Sequence, residues 1–167
     1  MIRVRVEGIV VLAGEGLPVM LLRELIGRRR WLTVHIGVPE AEALVAAQEQ
    51  VTHTRPNTIE LLLAVVGGFG RIVERVELTA LRDDIFYSDV VFDSGVRVSA
   101  RPSDAVAVAL LADAPVDVAE AVLDEAGQEL EVAATGDDNM VGTDEIEEFR
   151  SFLDAVTPDD FENHPPE

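Results

Sequence analysis

The sequence predicts an α+β domain made of two pseudo-repeated halves, each with three strands followed by two helices, and an amphipathic helix beyond them. Three observations carry this reading. Apolar and polar residues alternate with a two-residue period along several short stretches, as half-buried strands do. The third such stretch of each half runs into a proline-led apolar segment with an acid in its first turn, Pro39-Glu40 in one and Pro102-Ser103-Asp104 in the other. Finally, 48% of the 167 residues are apolar and only 5% aromatic, which gives one domain a proper core of Val, Leu, Ile and Ala.

Ile2, Val4 and Val6 alternate with Arg3, Arg5 and Glu7, predicting a first strand over 2–12 that bends at Gly8. Gly14-Glu15-Gly16 turns the chain into a second strand over 18–22. A polar connection through Gly27 and Arg28-Arg29-Arg30 leads to a third strand over 31–36, with Leu32, Val34 and Ile36 on one face. Gly37-Val38-Pro39 opens a helix running to about residue 50. Arg55-Pro56-Asn57-Thr58 opens another over 59–66, which Gly67-Gly68 is expected to stop. The second half repeats the order. Strands are expected over 72–81 and 85–92, joined by Asp83-Asp84, and over 96–100 after the turn Asp93-Ser94-Gly95. An enclosed helix follows Pro102, and after Ala114-Pro115 a further helix covers 118–125.

From Gly127 the character changes. Residues 1–127 are expected to form the main domain, 128–142 an acidic linker, 143–157 a helix and 158–167 a loose acidic tail, with Leu130 and Val132 able to add an edge strand. The helix reading rests on Asp144 with Glu147 as a cap, and on Ile146, Phe149, Leu153 and Val156 as one apolar stripe. Such a stripe docks on its own domain or on a second copy. Its other face is acidic, which does not suit a membrane surface. No apolar run reaches the length of a membrane span and no N-terminal signal is present, so a cytoplasmic protein is expected. The absence of cysteine agrees with that compartment and excludes disulfides and thiolate metal sites.

The formal net charge is −19, and all thirteen basic residues are arginine. Residues 128–167 hold thirteen acids and one arginine, a net −12, whereas 1–127 carry a net −7. The main domain therefore lacks the basic surplus usual in nucleic-acid binders. The acidic C-terminal region is instead a candidate arm for a protein partner.

Chemistry concentrates at Arg101-Pro102-Ser103-Asp104, where a guanidinium, a hydroxyl, a carboxylate and a helix N-terminus converge. Pro102 suits the first helical position, and Ser103 and Asp104 suit the free amides of the first turn. Arg101 and Arg55 are candidate phosphate clamps, since a guanidinium meets phosphate with two parallel hydrogen bonds. Asp104 and Glu60 are the candidate carboxylates for a divalent metal, with Glu40 and Glu42 weaker ones. Ser103 and Thr58 are candidates for hydrogen bonds to a phosphate oxygen. Arg28, Arg29 and Arg30 form the only basic run, a place for a phosphate backbone to rest. The structural alternatives are that Ser103 and Asp104 only cap their helix, and that Arg101 pairs with Asp104 or Glu60. No motif of established metal spacing, catalytic triad or phosphate loop is present.

With these residues in view, the chain resembles the bifunctional nuclease domain family over roughly 1–127. The marks are Leu32-Thr33-Val34-His35-Ile36-Gly37 with Glu40-Ala41, then Arg55-Pro56-Asn57-Thr58, then Ala100-Arg101-Pro102-Ser103-Asp104-Ala105, three motifs in order. The resemblance implies a compact α+β fold, self-association into a homo-oligomer, and cleavage of both DNA and RNA with little sequence specificity. Catalysis would then fall to Arg101, Asp104, Glu60 and Arg55, assisted by Mg²⁺ or Mn²⁺. After its first Arg-Pro the family often carries Thr-His followed by an acid, where this chain reads Thr58-Ile59-Glu60. The lost histidine, the lack of lysine and the net charge favour two alternatives to an enzyme: a regulatory or protein-interaction module, and a small-anion or nucleotide sensor.

Overall fold

A computed structural model describes residues 1–11, 16–51 and 53–129. The chain divides into two units, Met1–Glu131 and Val132–Glu167. The expected linker, C-terminal helix and tail, together with Leu130 and Val132, lie outside the described residues. The elements of the first unit run β1 (Ile2–Val11), β2 (Pro18–Glu24), β3 (Trp31–His35), α1 (Val38–Gln48), α2 (Thr58–Gly68), β4 (Val73–Arg82), β5 (Ile85–Phe92), β6 (Arg97–Ala100), α3 (Pro102–Ala112), β7 (Val116–Val118) and α4 (Glu120–Ala126). They form the expected α+β arrangement of two repeated blocks.

All seven strands join one sheet in the order β3-β2-β1-β7-β4-β5-β6, antiparallel throughout except for the β4–β7 pair. Each half therefore contributes a three-stranded meander. β7 sits between them, with Val116 and Val118 paired to β1 on one side and to β4 on the other. The sequence reading missed β7 and began the last helix two residues early. Three residues are too few to show a period, and only pairing on both sides holds Val116-Asp117-Val118 extended.

Local chemistry explains most other boundaries. β1 shifts register between Val6 and Gly8, and Gly8 takes φ +156°, so the expected bend is a β-bulge. Asp83 and Asp84 both have positive φ, the geometry a two-residue hairpin loop needs to match strand twist. Gly67 and Gly68 do not stop α2, as expected, but form its last turn; Gly70, at φ +67°, ends it.

The core gathers Met20, Leu22 and Leu32 from the first meander, Leu44 from α1, Val76 and Leu78 from β4, and Leu123 from α4. The α3 segment Ala105-Val106-Ala107-Val108-Ala109 is buried on every face, as its composition implied. α1 and α3 lie side by side in the same direction. Arg101 meets Glu40 at their N-terminal ends, and the Gln50 side chain donates to the Leu110 carbonyl at 3.5 Å at the other. β6 departs from the half-buried strand expected of it. As the edge strand it leaves Val98, and Val96 just before it, exposed, beyond the cover that α3 gives to β4 and β5.

The fold divides the Arg28-Arg29-Arg30 run, enclosing Arg30 and leaving Arg28 and Arg29 exposed. Arg30 is 3% exposed and pairs with the equally buried Glu24 through its Nε at 2.9 Å, and with Asp124 of α4 at 2.8 Å. Arg28 lies near Asp124 and Glu129 at 3.6 and 3.8 Å. Two of the three arginines are thus bound to acids of the C-terminal end of the unit. Burial keeps Arg30 from a phosphate backbone, and Arg29 stands as a single exposed cation at φ 57°.

Candidate functional site

The Arg101 junction is built by the end of β6 and the start of α3. Arg101 is the N-cap with extended backbone, φ −67° and ψ 147°, and Pro102 enters the first turn where its missing N–H is harmless. The Asp104 carboxylate takes the Arg101 fork with two bonds, from Nε at 2.6 Å and from Nη2 at 3.1 Å. The remaining Nη1 reaches across to Glu40 at 2.8 Å. Pairing with Asp104 first, and with Glu40 second, raises the Arg101 pKa and holds the guanidinium charged. The arginine side chain is nevertheless 66% exposed and that of Asp104 44%, so the cluster faces solvent.

Glu40 is the partner that sequence reasoning ranked too low. Its signal was the Pro39-Glu40 and Pro102-Ser103-Asp104 parallel, because α1 and α3 begin side by side. Gly37, the N-cap of α1, has a specific part here. A Cβ at that position would run into Oε2 of Glu40, while Oε1 of the same carboxylate accepts from Arg101. Glycine thus leaves room for Glu40 to fold back over its own helix start. The expected capping by Ser103 and Asp104 is not observed, since α3 has no side-chain cap hydrogen bond. Asp104 is committed to Arg101, and Ser103 is buried, 7% exposed.

Glu60 belongs to a second cluster. Asn57 caps α2, accepting from the backbone N–H of Ile59 at 2.9 Å and of Glu60 at 3.0 Å, and Glu60 accepts the Asn57 N–H at 2.6 Å. This is a complete capping box. The other Glu60 oxygen lies 3.1 Å from Nδ1 of His53. The Asn57 N–H, and then His53, hold the Glu60 carboxyl below the usual carboxylate range. The pair borders an open cavity of about 350 Å³ with Gln50, Val51, Pro56 and Leu111. Thr58 is exposed, and Arg55 is exposed without an ion pair among the described residues. Ile59 packs toward the core, so an apolar residue is accommodated there.

The two clusters occupy opposite ends of α3. Arg101 and Leu111 are ten residues apart, about 15 Å along a helix. Asp104 and Glu40 therefore each pair with Arg101, while Glu60 meets His53 and Asn57, and the expected metal pair of Asp104 with Glu60 is not brought together. Among the described residues no group of three or more His, Asp and Glu side chains could hold a metal ion. No helix among them is long and apolar enough to cross a membrane.

An α+β sheet of two meanders, carrying arginine–proline junctions at helix starts, defines the class of domain. The chain belongs to the bifunctional nuclease domain family, whose match covers residues 20–131. It is also similar to two proteins of Mycobacterium tuberculosis, the uncharacterized proteins MT1877 of strain CDC 1551 and Rv1829 of strain H37Rv. Each is 43% identical over 162 residues, covering 95% of this chain and 96% of the relative.

Proposed function

We propose that the chain is a nuclease of low sequence specificity that hydrolyses phosphodiester bonds of DNA and RNA in the cytoplasm, working at the Arg101 junction as a homo-oligomer. The nuclease class follows from the family. The observation that carries the site is the exposed Arg101 fork, kept charged between two carboxylates at the start of a buried helix. A phosphate diester competes for that fork with the same bidentate geometry as Asp104. Once Arg101 turns to phosphate, Asp104 and Glu40 are left as an acidic pair beside the bond. Asp104 then suits the task of taking a proton from the attacking water, and Arg101 that of stabilising charge on the phosphoryl oxygens. Two carboxylates are also what Mg²⁺ or Mn²⁺ asks of a protein when water and phosphate fill its other positions. Such an ion would add Lewis-acid polarisation, with Glu40 replacing Glu60 as the partner of Asp104. Arg55 and Thr58 would serve a phosphate farther along the strand rather than the bond that is cut.

Cleavage of labelled single-stranded DNA and RNA tests this, with Mg²⁺ or Mn²⁺, with chelator, and with Arg101→Ala and Asp104→Ala purified by the same route. Each substitution is expected to lower turnover by about 100-fold or more while leaving the melting temperature within a few degrees. Activity that survives both would overturn the assignment of the site.

A second reading is a regulatory or protein-interaction module without turnover. The exposure of Leu61, Leu62 and Val65 on α2 and the net charge of −19 favour it. Its acidic C-terminal region would be the arm that a partner binds. Full-length protein without activity but with a tight protein partner would decide for this reading. A nucleotide-induced thermal shift without cleavage would instead indicate an anion sensor built on Arg55 and Arg101.

A further inference from the structure

α2 is strongly apolar, yet none of its residues is buried. Ile59 and Leu63 turn toward the core, Glu60 and Val66 are half-buried, and the other residues of the helix are exposed. Leu61, Leu62 and Val65 are 53%, 49% and 48% exposed, and Phe69, just past the helix end, is 82% exposed. From these fractions the open apolar surface is on the order of 400–500 Å², near the upper end for an ordinary monomer. It is more than half of the roughly 800 Å² that each partner contributes to a standard interface.

Gly67 and Gly68 add a second oddity. Two consecutive glycines weaken a helix, and neither has the positive φ that would require one. A Cβ at either position would meet nothing within 4 Å among the described residues, so their packing does not use the smallness of either glycine. Of the two, Gly68 lies one turn from Ala64, and this pair of small residues runs beside the ridge Leu62, Val65 and Phe69 at i, i+3 and i+7, the low side of the helix surface.

We infer that this face of α2 packs antiparallel against the same face of a second copy of the chain, about a twofold axis close to Val65. A ridge beside a groove on one helix is self-complementary under twofold rotation, because each ridge fills the groove of its twin. In that pairing Leu62 of each copy meets Phe69 of the other. Glu60 and Arg71, at opposite ends of the segment, are brought toward each other across the axis, and the two helix dipoles oppose. No charged side chain lies between Glu60 and Arg71, so two chains of net charge −19 meet where neither carries charge. This assigns a surface to the self-association proposed above and does not depend on nuclease activity.

The mass of the full chain in solution, by sedimentation or light scattering, tests the inference with Val65→Glu and a single introduced cysteine. Wild type is expected to be a dimer or a multiple of one, and Val65→Glu to lower its mass by half or more while the circular dichroism stays unchanged. Since the chain has no cysteine of its own, Val65→Cys reports directly on the axis. It should give a disulfide-linked dimer under mild oxidation, and Val98→Cys on exposed β6 should not. A wild type that remains a single 18.1 kDa chain at high concentration would overturn both the self-association and its surface. An oligomer unaffected by Val65→Glu, or linked no faster through position 65 than through 98, would overturn the surface alone.

Discussion

A single arginine can be read two ways, and Arg101 and Arg30 mark the two outcomes. Both are held by carboxylates and both have a raised pKa from that pairing. Arg101 remains open to solvent and able to exchange partners, whereas Arg30 and Glu24 are enclosed. Breaking a buried pair by removing one partner leaves an uncompensated charge. Arg30→Leu is therefore expected to lower stability by about 3–5 kcal/mol in urea denaturation. Adding Glu24→Leu should recover much of that loss. At the junction, Gly37→Ala is expected to displace Glu40 from Arg101, reducing turnover more than stability; rates and melting curves of the purified variant check this. The Arg101–Asp104 pair was legible because three residues along a helix start is contact distance. The Glu40 partner was not, because it lies 61 residues away, and the enclosure of Arg30 was not, because beside Glu24 it takes Asp124, 94 residues on.

Elements with a long period or a distinct turn chemistry announced themselves. Six strands and four helices were expected close to where they lie, and so was the bulge at Gly8. What failed were short or edge elements: β7 is too brief to alternate, and β6 alternates yet stays exposed because, among the described residues, α3 covers β4 and β5 but not this edge. Asn57 shows how a helix start can be decided by one side chain. Its oxygen serves two backbone amides while Glu60 returns to its own N–H. Asn57→Ala is expected to cost about 1 kcal/mol by thermal or chemical denaturation. It should also loosen the His53–Glu60 contact without touching Arg101 chemistry.

Over the whole molecule, pairing lowers the carboxyl pKa values of Glu24, by Arg30, and of Glu77, by Arg97. Groups with a folded pKa below the ordinary value of 4.5 contribute stability that is present above that value and lost as the pH falls through the folded one. Exposed acids repel one another less as they protonate, but salt screens that repulsion, so the enclosed pairs dominate. The melting temperature is expected to be nearly flat from neutrality to about pH 5 and to drop below pH 4.5 in a pH series. In Arg30→Leu the trend at Glu24 reverses, because a buried carboxyl without a partner favours its protonated form, and mild acid should then recover stability.

The position of β7 governs the order in which the sheet can be made. Val118 pairs with Ile2 and also with Leu78, so the strand that joins the two meanders is among the last parts of the domain to be synthesised. Until it leaves the ribosome, β1 and β4 each present an open strand edge to the cell. A chain interrupted before residue 116 would keep both meanders but no join between them, and two such edges are a template for pairing with neighbouring chains. Pairing of β7 on both sides thus shields from neighbouring chains the two strand edges at which the halves of the sheet meet.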